Sequence, residues 1–287
     1  MRVAVIGLAS SHVDQIIRLC AGGRLGSAQV NALIAPVMES VDQARIGALH
    51  RTLPTVVGET PLTGEDDPAA EPEDIARALA GRVDAAIIAT RDSAGHRALA
   101  EPLLRADIPV FVDKPFVTDP ADAEALVALA ERRGVPITSS SALRWHPQVL
   151  EAADRWAVLP GGLTCHVAGP ADPSSPHGGR MFLGVHAVEA ALALLRGRPG
   201  TVRVHDHDGH RFADIEAGAD RAVVDLGPHD GLRLVGPGID TPLRLDPEFL
   251  RPGLMDFLAG VHRGDRHGPL SGIALIDAAR VLADVCR

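Results

Sequence analysis

The chain has 287 residues, enough for one large or two modest domains. Of these, 46% are hydrophobic, which supplies a buried core and excludes a disordered chain. Its net charge of −9, with no basic run, excludes nucleic acid and anionic membranes as partners; a small anionic substrate stays open, because one local cation opposes the net charge.

The opening, Arg2 to Gly7, turns apolar as a buried parallel strand does, and reads as strand and turn rather than as a signal peptide. Ser10-Ser11 caps a helix to about Cys20, and Val30 to Ala35 is a second strand. A short helix near 39–50, a strand at Thr55–Val57 and a Gly/Pro/acid loop at 58–72 follow. Glu73–Ala80 is helical, Val83–Ala89 a buried strand, Ser93–Arg105 a helix and Ile108–Val112 a strand. Asp119–Arg133 is a helix with Pro120 at its first position and Gly134 after its end, and Pro136–Ser139 begins another strand. Strands alternating with helices predict a parallel sheet whose ligand lies beyond the strands' carboxyl ends, at Gly7–His12, Thr90–His96 and Asp113–Phe116.

After about residue 145 the rhythm changes. Pro147–Ala157 is a helix, Leu163–Ala168 a strand and Phe182–Leu195 a helix. Short strands near 201–206, 211–216, 221–226 and 231–235 predict an antiparallel sheet, closed by helices near 247–263 and 271–286. No apolar run approaches the ~18 residues of a spanning helix. Cys20, Cys165 and Cys286 lie far apart, with neither metal-pair nor disulfide spacing, and point to a reducing cytoplasm. There is no tyrosine, so a tyrosine acid is excluded, and Lys114 is the only lysine.

Ile87-Ile88-Ala89-Thr90, His96 and Val110-Phe111-Val112-Asp113-Lys114-Pro115 resemble the turn and strand motifs of the Gfo/Idh/MocA oxidoreductases. Leu126–Ser141 with Arg144-Trp145-His146-Pro147, then Gly184-Val185-His186, then Asp256-Phe257-Leu258 to Pro269-Leu270-Ser271-Gly272 continue the resemblance in order. The implied fold class is α/β: an N-terminal Rossmann-type parallel sheet plus a C-terminal α+β domain with an open, mainly antiparallel sheet. The ranges drawn are 1–118 for the dinucleotide-binding domain, 119–145 for a helix and strand completing its sheet, and 146–287 for a substrate and oligomerisation domain. The last helix is a candidate to pack back on the first domain. The resemblance implies hydride transfer between NAD or NADP and a small polyol, sugar or hydroxy compound, in a homo-oligomer (dimer or tetramer).

The motifs are degenerate. Gly7, Ala9 and His12 fill the three glycine positions of the phosphate loop, which predicts a backbone held off the pyrophosphate and a helix pushed from its strand. Ser10 and Ser11 either bind phosphate through hydroxyls or only cap the helix. Ala35-Pro36 stands where an acid would hold the ribose; Glu39 is the nearest acid and lies past the proline. Asp113 replaces the family's usual Glu, and Phe182 stands where its Asp precedes the helical His. These departures predict weak cofactor binding, with high-micromolar dissociation constants as an order of magnitude.

Lys114 and His186 are the expected proton-handling pair: a buried lysine moves protons, and a neutral imidazole takes a hydroxyl proton as hydride leaves. Expected cofactor contacts are Gly7, Ala9, Ser10, Ser11, His12, Thr90, Arg91, His96, Asp113 and Lys114. Arg144, Trp145, His166, His177 and Phe182 join Lys114 and His186 as expected substrate contacts. His205-Asp206-His207-Asp208-Gly209-His210 offers metal-ligand types, but Asp208-Gly209 is a hairpin signal and strand neighbours point to opposite faces, so no metal is expected. A lyase or hydrolase on the same scaffold, or an inactive ligand-binding homologue, are the alternative readings.

Overall fold

Short apolar runs that cannot expose either face to water become the inner strands of a parallel sheet. The computed structural model describes residues 1–39, 41, 43–52, 71–270 and 272–287; the expected strand at 55–57 lies outside them. In chain order come β1 (Arg2–Ile6), α1 (Ser11–Ala21), β2 (Gln29–Ile34), α2 (Gln43–Thr52), α3 (Pro72–Leu79), β3 (Ala85–Ile88), α4 (His96–Arg105), β4 (Val110–Val112), α5 (Pro120–Arg133) and β5 (Ile137–Ser139). They are followed by α6 (Pro147–Ala157), β6 (Thr164–Pro170), α7 (Met181–Leu194), β7 (Val202–His207), β8 (His210–Ala217), β9 (Asp220–Gly227), β10 (Leu232–Gly236), β11 (Ile239–Leu243), α8 (Arg251–Arg263) and α9 (Gly272–Cys286).

The chain divides into two compact units. The first comprises Met1–Val117, Ala121–Ser139 and Leu250–Gly272. Its parallel sheet has the order β2-β1-β3-β4-β5. Strand order reverses between β1 and β3, so a crevice opens at their carboxyl ends. The flanking helices bury one stripe each: Ile75, Ala76 and Leu79 in α3, Leu99, Ala100 and Leu103 in α4, Ala123, Leu126, Val127 and Ala130 in α5. Each fully buried aliphatic side chain contributes about 1.5–3 kcal/mol. Helix α8 belongs here too: Phe257 packs on Phe111 with ring centroids 5.8 Å apart, and Gln15 of α1 accepts from the Leu250 N–H. The range 146–287 had grouped α8 with the second domain.

The second unit comprises Thr118–Pro120, Ser140–Phe249 and Ile273–Arg287. Its sheet runs β11-β10-β6-β9-β8-β7 and is mixed, because β6 pairs with β9 in parallel while the other pairings are antiparallel. Strand β11 was not anticipated; Thr241-Pro242 breaks its apolar alternation. Alternate residues Cys165, Val167, Ala213, Ile215, Ala222, Val224 and Leu226 are buried beneath α7, and the opposite face stays open. Gly184 brings α7 down on β9, since a Cβ there would lie 2.8 Å from Leu226. Asp208 and Gly209 turn β7 into β8 with positive φ, the expected hairpin. Helix α9 is tied into this unit by Arg198–Asp277 and by Arg280 to Pro199 O. Among the described residues no helix is long and apolar enough to cross a membrane.

Candidate functional site

The loop after β1 is shaped by three residues from elsewhere in the first unit. Gly7 turns the chain at φ 101°, and a Cβ there would meet Thr90 N at 2.6 Å, so only glycine fits. Arg45 of α2 donates from Nε to Leu8 O (2.8 Å) and from Nη2 to Ser10 O (3.1 Å), which turns the loop's carbonyls away from its amides. Glu39 reaches back from the turn after β2, and its Oε2 accepts from the Leu8 N–H. An acid thus stands four residues after Ala35 and reaches the loop that follows β1. A turn whose Glu39 N–H bonds Pro36 O brings it back. Burial raises the Glu39 carboxyl from its ordinary value, against the N–H groups of Leu8 and Ala9 and the charges of Arg91 and Arg45.

Ser10 caps α1: its hydroxyl accepts from the His12 N–H at 3.2 Å. Ser11 is exposed in the first turn. His12 does not wedge the helix from the sheet. Its Nδ1 lies 2.6 Å from Asp113 Oδ2, so the ring spans from loop to strand end. Burial pushes the Asp113 carboxyl up, but the charge and hydrogen bond of His12, with Lys114 beside it, hold it at about 2. Lys114, on a cis bond to Pro115, is buried. Burial lowers its ammonium from the ordinary value; Asp113 opposes the shift and Arg91 adds to it.

His96 departs from expectation. Its ring has no exposed surface, so the expected direct contact with a dinucleotide is not available to it. Nδ1 lies 2.9 Å from Pro115 O and 3.1 Å from Phe116 O, and Nε2 lies 3.3 Å from Thr90 O. It fastens the turn after β4 to the turn after β3, and burial keeps it neutral by lowering its pKa.

The described residues hold seven buried side-chain polar atoms without a hydrogen-bond partner, and five of them stand at this edge: Glu39 Oε1, Thr90 Oγ1, Ser93 Oγ, Asp113 Oδ1 and Ser139 Oγ. They follow or end β2, β3, β4 and β5. Each such atom costs about 1–3 kcal/mol unless a ligand satisfies it. A polar rim of this kind fits the ribose hydroxyls and carboxamide of a nicotinamide dinucleotide.

In the second unit, His186 lies in the first turns of α7, and its Nδ1 is 2.7 Å from Ser141 Oγ. The same hydroxyl accepts from the Leu143 N–H at 3.1 Å. A hydroxyl, that of Ser141, therefore stands against the His186 ring, and the side chain of Phe182 carries no polar group. Phe182 instead packs on His177, with ring centroids 4.9 Å apart. Arg144 is spent on Glu189 of α7, both of them buried for most of their length. Trp145 Nε1 donates to Ser140 Oγ at 3.0 Å. His166 stands on the open face of the sheet, whereas α7 and His186 cover the other face. Sequence reasoning missed Ser141, Arg45 and Glu189; only Glu39, as the nearest acid after β2, carried a sequence signal.

A parallel sheet with a reversal point, a glycine turn there and an unsatisfied polar rim define a dinucleotide-type α/β protein. Residues 1–140 match the model of the oxidoreductase family with an NAD-binding Rossmann fold, Gfo/Idh/MocA. A D-apiose dehydrogenase of Paraburkholderia graminis is 41% identical over 54 residues, 19% of this chain and 14% of that protein. A UDP-N-acetylglucosamine 3-dehydrogenase of Acidithiobacillus ferrooxidans is 30% identical over 127 residues, 44% of this chain and 40% of that one. The chain thus covers well under two thirds of either relative. The WlbA dehydrogenase of Thermus thermophilus, solved with NAD and UDP-GlcNAcA, shares the fold with a TM-score of 0.76 at 18% identity, over 100% of this chain and 95% of that one.

Proposed function

We propose that the chain is an NAD-dependent oxidoreductase of a small polyol, sugar or related hydroxy compound. The observation that carries this reading is the rim of five orphaned polar atoms beside the buried Lys114. The dehydrogenase names of the similar proteins support it. NAD, when bound, accepts or returns a hydride at its nicotinamide ring.

The chain's own groups supply the rest. The N-terminus of α1 offers its amides to the pyrophosphate, while Glu39 takes up the Leu8 amide and Arg45 holds the Leu8 and Ser10 carbonyls. Glu39 accepts the ribose hydroxyls at Oε1 and opposes a 2′-phosphate, which favours NAD over NADP. The affinity loss expected from a missing ribose acid, about one to two decades, then does not arise. Thr90, Ser93, Arg91 and Asp113 line the ligand side, while His12 keeps Asp113 ionised. Lys114 gives and takes a proton, since burial weakens its hold on one. His186 accepts the hydroxyl proton at Nε2 when Nδ1–H donates to Ser141.

The same reading takes the chain as a cytoplasmic homo-oligomer. The open sheet face and the unpaired thiols Cys20, Cys165 and Cys286 support it. A solution mass near one 30.1 kDa chain at micromolar concentration overturns the oligomer.

Titration with NADH and NADPH by nicotinamide fluorescence tests the cofactor reading. NADH is expected to bind more tightly. No binding of either at millimolar concentration overturns it, as does turnover of a polyol panel with unchanged nicotinamide absorbance and no requirement for added NAD.

A further inference from the structure

Three side chains with no part in hydride transfer meet on the open sheet face of the second unit. His210 opens β8, Asp225 lies near the end of β9, and His229 follows in the loop to β10. His210 Nδ1 is 2.8 Å from Asp225 Oδ1, and His229 Nε2 is 3.1 Å from Asp225 Oδ2. One ligand atom from each residue lies within 4.8 Å of the other two. The two rings stand nearly perpendicular, 78°, with centroids 5.0 Å apart.

A bland account makes Asp225 the hydrogen-bond partner of both rings. His210 fits that account and His229 does not. His229 Nε2 is buried and makes no aligned hydrogen bond, although a carboxylate oxygen lies 3.1 Å away. That nitrogen is left open to a further partner. Tetrahedral zinc-type bonds of about 2.0–2.2 Å set ligand atoms roughly 3.3–3.6 Å apart, so the separations of 2.8 and 3.1 Å open by a few tenths of an ångström to seat the ion.

The backbone is cut to suit. A Cβ on Gly227 would lie 2.5 Å from His210 Nδ1, so glycine is what lets that ring lie across β9 toward Asp225. Phe212 stacks on the His210 ring, 15° from parallel at 5.8 Å, and holds its plane. The three side chains are 23–28% exposed, which leaves coordination positions open to water or a ligand. Two imidazoles and one carboxylate suit a borderline divalent ion and disfavour magnesium or calcium.

We propose that His210, Asp225 and His229 bind a zinc-type divalent cation, which ties the loop after β9 to the β8–β9 pair. The 205–210 segment, where no metal was expected, shares only His210 with this set.

The test uses the full, untagged chain, stripped with a chelator and titrated with Zn²⁺ by calorimetry. One equivalent is expected to bind at low-micromolar concentration or tighter, with millimolar Mg²⁺ failing to displace it. His229→Ala and Asp225→Asn are each expected to weaken binding by at least about tenfold. His207→Ala, a neighbour on β7 outside the set, is expected to leave it unchanged. Co²⁺ added to the unaltered chain gives a readout that needs no variant: intense visible bands of a low-symmetry nitrogen and oxygen set are expected. Absence of saturable Zn²⁺ uptake, uptake indifferent to both substitutions, or a cobalt spectrum of the hexaaqua type overturns the proposal.

Discussion

Two buried carboxylates in this chain have opposite surroundings. Asp220, at the start of β9, is saturated: it accepts from the Leu163 and Arg196 N–H groups and from the Arg196 guanidinium, whose other donors reach Trp156 O, Leu159 O and Gly161 O. Asp113, at the end of β4, has one oxygen on His12 and the other buried with no hydrogen-bond partner. Both carboxyls are held below the ordinary carboxylate value: at Asp220 chiefly by the Arg196 bond, at Asp113 by His12 and Lys114 against burial. The difference is that a structural ion pair closes on itself, whereas a site for a ligand leaves an acceptor unspent. The lowered pKa alone does not tell them apart.

The comparison breaks most sharply at the neighbour of Asp113. Lys114→Met is expected to cut kcat by roughly 10²–10⁴ while the fold holds or gains stability, because a buried ammonium is removed. Kinetics on a panel of polyols, sugars and hydroxy acids, paired with thermal melts, reads both. The wild-type rate is expected to rise with pH through a pKa below 10.5, a limb that the variant lacks.

Glu39→Gln is the next largest. Loss of a charged acceptor at the ribose is expected to weaken NADH by about tenfold to a hundredfold and leave NADPH nearly unchanged. Parallel fluorescence titrations compare the two cofactors; an equal loss for both would place Glu39 outside ribose recognition.

Asp220→Asn should reverse the pattern. Breaking its closed pair is expected to lower Tm by roughly 5–10 °C with no change in NADH affinity. Acid titration extends the contrast. A carboxylate with a depressed folded pKa contributes stability above its unfolded value of 3.8, and that contribution is lost as pH falls. For Asp113 the loss runs from pH 3.8 down to about 2, and Asp113→Asn is expected to flatten that part of a denaturation-versus-pH curve.

The smallest effect expected is at Ser141→Ala, which positions His186. A several-fold fall in kcat with KM unchanged, and a displaced His186 limb in the pH profile, would separate positioning from mere packing. Ser141→Thr, which keeps the hydroxyl, should restore both.

The sequence by itself determined the parallel sheet of the first unit, most of its helices and the position of Lys114. Those features are written in short-range pattern: apolar runs of strand length, caps and breakers at the right offsets, and a lone lysine after a buried strand. The hairpin at Asp208-Gly209 was legible for the same reason. What only the tertiary structure decided were the pairings across large gaps in sequence. The polar edge is built from Glu39 against Leu8, 31 residues apart, and His12 against Asp113, 101 apart. A bulky residue in a glycine position reads as a steric fault until its partner is known, and here that partner is a carboxylate. His166 could not be assigned a face from alternation alone, because period two gives two faces and only the packing of α7 says which is covered. The same holds for Arg144, whose guanidinium looked available for substrate until α7 set Glu189 beside it. Side-chain chemistry is local, but the partner that spends it or leaves it free is chosen by the fold.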